Sequence, residues 1–115
     1  MNIVYDGKKD RPFKEVLGEV IPRLAEEDKD VIYLDADLMS CIGTSKWARE
    51  NPHRAINCGI AEANMAGIAA GLSSAGFKPI MHTFGTFASR RCYDQIFLSG
   101  GYAGNSVTVI GRDPG

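Results

Sequence analysis

The stretch Asn57-Cys-Gly-Ile-Ala-Glu62-Ala-Asn-Met-Ala-Gly-Ile-Ala-Ala-Gly-Leu-Ser-Ser-Ala-Gly76 decides how this chain folds. It reads as a short strand ending at Cys58, a glycine turn, and a helix from Glu62 to Ser74 closed by Gly76. Behind Glu62 the helix is small or apolar at almost every position, so its carboxylate is expected at the edge of a buried surface. Gly67 and Gly71 stand four apart and would let another backbone approach closely. An acid in a first turn has two readings. Free N–H groups there favour negative charge, and Gly59-x-x-Glu62 is a weak capping pattern. With no cation near it in sequence, Glu62 is otherwise a working group, and the stretch alone leaves both readings open.

The 115 residues suffice for one domain, 1–115, with a single core. Hydrophobic residues at 44% and charged residues at 23% are ordinary for a globular chain. Thirteen basic against fourteen acidic residues create no field for nucleic acid or an anionic membrane. The longest weakly polar run, 65–72, is too short to span a bilayer. The first ten residues lack the apolar core of a signal peptide. Cys41, Cys58 and Cys92 form no C-x-x-C pair, so neither a disulfide framework nor a zinc site is indicated. A cytoplasmic location is the expectation.

Working outward, Phe13, Val16, Leu17, Val20, Ile21, Leu24 and Ala25 repeat at helical spacing and predict an amphipathic helix over 11–25. Pro22 within it predicts a kink or break between Gly18 and Pro22. After the charged turn 26–30, Val31-Ile-Tyr-Leu-Asp-Ala-Asp37 is apolar until its acids and suits a strand covered on both faces. Asp35 and Asp37 fall at its carboxyl end, where ligands gather in open α/β sheets, although strand-end Asp is also a common turn former. Leu38 to Thr44 is a loop. Ser45–Glu50 follows as a short helix capped by Thr44 or Ser45 and ended by Asn51-Pro52, and Arg54–Cys58 is the second strand. Downstream come a strand over Lys78–Thr83, a helix from Phe87 to Ser99 stopped by Gly100-Gly101, a strand over Ser106–Ile110 and a loop over 111–115. This alternation predicts an α/β fold: a parallel sheet with helices on both faces. The sheet ends without a further crossover helix, so the chain looks unfinished or completed by a partner.

The segment Thr83-Phe-Gly-Thr-Phe-Ala-Ser-Arg-Arg-Cys-Tyr-Asp-Gln-Ile-Phe97 gives Glu62 a context. Phe84, Phe87 and Arg90, three apart, would line one side of a strand-to-helix turn. Two rings and a guanidinium form a slot for a flat heteroaromatic. The competing reading is that both rings are core and Arg90-Arg91 a solvated face.

Gly59-Ile-Ala-Glu-Ala-Asn-Met65, Ala69-Ala-Gly-Leu72, Thr83-Phe-x-x-Phe-x-x-Arg90 and Asp94-Gln-Ile96 closely resemble the pyrimidine-binding domain of transketolases. Asp35-Ala-Asp-Leu38 and Val109-Ile-Gly-Arg-Asp-Pro-Gly115 extend the resemblance over nearly the whole chain. It is most similar to the C-terminal subunit of split bacterial and archaeal transketolases. The resemblance implies the pyrimidine module of the thiamine diphosphate-binding fold, here incomplete, and a role in ketol transfer between small sugar phosphates. It implies that Glu62 is catalytic, sharing a proton with a ring nitrogen of thiamine diphosphate. A carboxyl in an apolar site holds its proton more readily, which suits that exchange. Phe84 and Phe87 would pack on the pyrimidine, Arg90 would border it, and Asp37 would face the partner chain at the cofactor. Arg11 would contact substrate phosphate, with a helix-start surface charge as the alternative. His82 would reach substrate from the end of the third strand, or be a satisfied strand-end histidine.

Some positions depart from the family. A phosphate-binding serine falls at Cys41, and Ala63 stands where the split enzymes carry glutamine. No Gly-Asp-Gly followed by Asn is present. The diphosphate and its divalent metal, such as Mg, would therefore be held by a diphosphate-binding N-terminal transketolase subunit in a homo- or hetero-oligomer. This chain would hold no metal and be inactive alone. Two rival readings remain: a 1-deoxyxylulose-5-phosphate synthase or other thiamine diphosphate enzyme subunit, and a non-catalytic association fragment.

Overall fold

Four strands and three principal helices alternate in the computed structural model, which describes Gly7 and residues 11–113. The helices are α1 (Phe13–Glu27), α2 (Ser45–Glu50) and α3 (Glu62–Ser74). The strands are β1 (Val31–Asp35), β2 (Ala55–Asn57), β3 (Lys78–Phe84) and β4 (Thr108–Arg112). All pairings are parallel, in the order β2-β1-β3-β4. The path runs one way from β1 to β2, then crosses back so that β3 lies on the other side of β1. That reversal opens a crevice beyond the carboxyl ends of β1 and β3, where α/β sheets bind ligands.

Helices cover both faces, as the unbroken apolar run in β1 requires; all five of its residues are buried. Alternate side chains sort to opposite layers. Tyr33 of β1 packs with Leu17 and Ile21 of α1, Ala48 of α2 and Ala55 of β2. Leu34 faces the other way, onto Met65, Ala66 and Ala69 of α3 together with Met81 and Cys92. Gly76, at φ +94, ends α3 as expected, and the Phe77 amide donates back to Leu72. No helix among the described residues is long and apolar enough to cross a membrane.

Several elements differ from expectation. α1 runs unbroken through Pro22. Among the described helical glycines the one that admits a close neighbour is Gly18, where a Cβ would strike the Ile42 carbonyl. At Gly67 and Gly71 a Cβ would meet nothing within 4 Å, so the contact face of α3 is instead Ala66, Ala69 and Ala70. β1 stops at Asp35 because Asp37 takes φ +65, which no strand continues. The expected helix over 87–99 is two π-type segments, Phe87–Arg91 and Ile96–Tyr102, flanking one α turn, α4 (Tyr93–Gln95). Wide winding shows in the Ala103 amide, which donates to Leu98 five residues back. β4 begins two residues late because the Asn105 and Ser106 region is tied to the end of α3: Ser74 bonds Asn105 at 2.8 Å and the Ser106 amide bonds Ser73 at 2.9 Å. Of the loop expected over 111–115, Gly111 and Arg112 belong to β4, and Pro114 and Gly115 lie outside the described residues.

Candidate active site

Asn57, the last residue of β2, sets the local geometry. Its Oδ1 accepts the amides of Asp37 at 3.1 Å and Gly59 at 2.9 Å, and its Nδ2 donates to Asp37 Oδ1 at 3.0 Å. One amide side chain thus ties the exit of β1 to the turn that starts α3. Gly59 adopts φ +70, a conformation glycine enters without steric cost. The first turn of α3 is thereby aimed at the crevice between β1 and β3.

Glu62 is 1% exposed there. It closes no capping box, because the Gly59 amide that such a box would use is taken by Asn57, although its own first-turn amide favours the carboxylate. Glu62 Oε1 instead accepts the Thr83 hydroxyl at 3.2 Å, and Oε2 accepts Nη1 of Arg91 at 2.9 Å. Glu62 and Thr83 join Phe84, Phe87, Ala36 and Asp37 around a cavity of about 100 Å³. The Phe84 and Phe87 rings meet edge to face, 6.1 Å apart at 77°. The structure therefore brings Glu62, Phe84, Phe87 and Asp37 together.

Arg90 is not among them. It is exposed and lines a separate, open cleft of about 440 Å³ with Thr86, Phe87 and Arg91. Arg91 lies over the Phe87 ring, 3.7 Å from its centroid, while Arg112 lies 4.9 Å over Phe84. Both the third and the fourth residue after Phe87 fall on its side of a helical segment, and it is the fourth, Arg91, whose guanidinium lies over the ring.

Burial is the largest influence on Glu62 and pushes its carboxyl up. The Arg91 hydrogen bond, the residue's own amide, the Arg91 charge and Thr83 together outweigh it and hold the carboxyl below its ordinary value. The expected proton-retaining carboxyl is thus corrected: Glu62 is ionised, because a cation distant in sequence reaches it.

Residues 10–115 match the family described as the transketolase pyrimidine-binding domain. The chain belongs to this family. It is 45% identical over 102 residues to the 6-deoxy-6-sulfo-D-fructose transketolase subunit SqwH of a Clostridium species, covering 89% of this chain and 32% of that one. A putative transketolase C-terminal section from Methanocaldococcus jannaschii is 35% identical over 98 residues, 85% of this chain and 31% of its own. The 1-deoxy-D-xylulose-5-phosphate synthase of Symbiobacterium thermophilum is 39% identical over 84 residues, 73% of this chain and 13% of the enzyme. Among solved structures, a chain described as a split gene transketolase, inactive beta4 tetramer, superposes with a TM-score of 0.75 at 38% identity, covering 85% of this chain and 33% of that one. The pyrimidine domain described here thus spans about a third of its split-type relatives.

The other anticipated residues of the pyrimidine domain fall elsewhere. His82 is fully buried beneath the crevice, its Nδ1 2.8 Å from Asp35 Oδ2 and 3.3 Å from the Tyr33 hydroxyl. The Tyr33 hydroxyl also bonds Asp35 Oδ2, and Asp35 Oδ1 accepts the Leu38 amide. Arg11 is an exposed charge bonded to Glu19 at 3.0 Å. It shares a shallow surface cleft with Lys14 and Cys41. Among the described residues no group of three or more His, Cys, Asp or Glu side chains is placed to hold a metal ion. Sequence reasoning missed the roles of Arg91, Thr83 and Asn57. Only the doubled Arg90-Arg91 signalled the first, and it offered no way to choose between the two.

Proposed function

We propose that this pyrimidine domain forms one wall of a thiamine diphosphate site in a transketolase, with Glu62 as the carboxylate that shares a proton with the aminopyrimidine ring. The observation that carries this reading is a buried carboxylate in the wall of a small cavity lined by Phe84 and Phe87 at the sheet's crevice. These residues fit a flat nitrogen heterocycle: apolar rings to pack on, and one oriented acceptor for a ring N–H. When bound, the cofactor supplies the electron sink for two-carbon ketol transfer.

The chain's own residues orient and seal. Thr83 and Arg91 fix the Glu62 carboxylate through one oxygen each. Phe84 and Phe87 keep water from the carboxylate, which strengthens any proton shared there. Asp37, held at its strained φ by Asn57, stands at the rim facing a partner. The diphosphate and a divalent metal belong to a second, diphosphate-binding subunit, and the chain alone is inactive. The description of its solved relative as an inactive tetramer of one chain type supports this division of labour. The substrates are small sugar phosphates, and Arg11, in a surface cleft with Lys14, Glu15 and Glu19, is the cation proposed for an anionic end.

The test is Glu62→Gln in the full-length chain assembled with its partner. Cofactor binding should be retained and ketol transfer should fall about 10²- to 10⁴-fold, the usual worth of a positioned proton-transfer group. Near-normal turnover would refute the assignment. The likeness to 1-deoxy-D-xylulose-5-phosphate synthases supports a second reading, separated by product analysis with pyruvate against ketose donors. A purely associating fragment would bind its partner equally well with or without thiamine diphosphate.

A further inference from the structure

One wall of the ring cavity is the turn Ala36-Asp37-Leu38, and the strand end Thr83-Phe84 helps to form another. Side chains hold the turn on both sides of its strained residue. Asp37 adopts φ +65; its own amide bonds Asn57 Oδ1 at 3.1 Å, and the next amide, that of Leu38, donates to Asp35 Oδ1 from beneath. The second anchor is itself anchored. Asp35 Oδ2 accepts the Tyr33 hydroxyl, and His82 Nδ1 stands 2.8 Å from the same oxygen, with all three side chains at 0% exposure. A carboxylate oxygen facing Nδ1 selects the tautomer with the proton there. The His82 backbone joins the turn as well, its carbonyl accepting the Ala36 amide at 3.3 Å.

We propose that His82 is a positioning residue for the cavity: by donating from Nδ1 it fixes the Asp35 carboxylate, and through the Leu38 amide it fixes the turn that walls the ring and carries Asp37. This rests on the reading of the cavity as a pyrimidine site. The placement follows from register. Asp35 pairs with His82 across β1 and β3, so the two side chains share the face beneath the crevice, while the next residue on each strand, Ala36 and Thr83, reaches the cavity. One buried contact thus ties together the two strands whose ends bound the cavity. Without it the Asp35 carboxyl keeps only the Tyr33 hydroxyl on Oδ2 and can rotate away from the Leu38 amide. The strained Asp37 conformation then loses one of its two supports.

The test uses the full-length chain assembled with its partner subunit, as wild type, His82→Asn, His82→Gln and His82→Leu. The Asn amide nitrogen can stand where Nδ1 stands, and the Gln nitrogen only where Nε2 stands, so the pair separates a donor at one atom from a polar filler. Hydrogen exchange of the Leu38 amide, measured without cofactor, reads the turn directly. It should accelerate about tenfold in His82→Leu and His82→Gln, the order of one hydrogen bond, and stay near the wild-type rate in His82→Asn. Amides of α3, on the other face of the sheet, should keep their wild-type rates. A wall in place about a tenth of the time weakens apparent affinity about tenfold, so thiamine diphosphate with Mg²⁺ should bind that much more weakly to the Leu and Gln variants and normally to the Asn variant. Should His82→Leu fail to assemble, the comparison of Asn with Gln decides. Equal Leu38 exchange in the Asn and Gln variants, acceleration spread evenly over α3, or faster Leu38 exchange with unchanged cofactor affinity overturns the positioning role. No thiamine diphosphate binding by the wild-type complex overturns the pyrimidine reading instead, and the exchange rates alone then support or refute the hold of His82 on the turn.

Discussion

Replacing Asp35 with alanine should cost this domain a large share of its stability. The side chain is fully buried, and its two oxygens hold the Tyr33 hydroxyl, His82 Nδ1 at 2.8 Å and the Leu38 amide. Tyr33 and His82 are themselves at 0% exposure, and His82 Nε2 has no partner among the described residues. Alanine would leave the buried Tyr33 hydroxyl and His82 Nδ1 only their 3.3 Å contact with each other, and would free the half-buried Leu38 amide. Each unsatisfied group costs about 1–3 kcal/mol, offset by release of the carboxylate's own desolvation penalty. Removing one partner of a buried charged cluster costs about 3–5 kcal/mol in sum, against a total stability of about 5–15 kcal/mol. Asp35→Asn keeps an acceptor for Leu38 but turns an N–H toward Tyr33 or His82, so about 1–3 kcal/mol is expected. Urea denaturation at neutral pH, with the midpoint shift multiplied by the slope, measures both. The order alanine worse than asparagine is required. A loss below about 1 kcal/mol for Asp35→Ala would mean that water reaches the cluster, and would refute the argument. Because His82 and Thr83 point to opposite faces of β3, the Glu62 titration in Asp35→Asn should stay at its wild-type position.

Arg91→Met should change how stability depends on pH. In the wild type the Glu62 carboxyl lies below its ordinary value of 4.5, so its contribution is fully present above that value and fades as pH falls beneath it. Without Arg91 only the residue's own amide and Thr83 oppose burial, so the carboxyl binds protons more readily than in the wild type and its ionisation stabilises the variant less. The deficit of the variant should therefore grow as pH rises from below the ordinary value of 4.5 toward neutrality, screened to roughly 1 kcal/mol because Arg91 is 43% exposed. A deficit that does not change across this range in urea titrations would contradict the pairing. Gly18→Ala, which raises helix propensity, should nonetheless destabilise by about 1–3 kcal/mol because its Cβ strikes the Ile42 backbone. A gain in melting temperature would show that α1 and the loop give way freely.

The fold was legible because its signals are local. β1 announces itself by four consecutive residues, Val31 to Leu34, that suit burial on both faces, and α3 by a glycine at each end and small residues between. The family resemblance supplied the rest of the order, since Glu62, Phe84 and Phe87 belong to motifs short enough to recognise. What sequence did not disclose are facts about register. Tyr33 and Asp35 share a face of β1, and His82 joins them only once β3 is known to pair with Asp35 opposite His82. The same holds for glycine: Gly67 and Gly71 look designed for close approach, yet the element that presses on a helix presses on Gly18.

The choice between Arg90 and Arg91 carries the most consequence and had the least local warning. A spacing of three through Phe84, Phe87 and Arg90 gives a slot with a guanidinium at its border and a carboxylate free of cations, hence one that keeps its proton. The structure leaves Arg90 in the open cleft and brings Arg91 onto Phe87 and Glu62, and the carboxyl is held below its ordinary value. Positions three and four along a helix are both neighbours of the first, so spacing alone does not choose between the two arginines. One step along the chain thereby reverses the direction of a proton affinity across 29 residues of sequence. Where a helix opens a strand-end crevice, which of two adjacent side chains turns inward sets the charge of the group that faces the ligand.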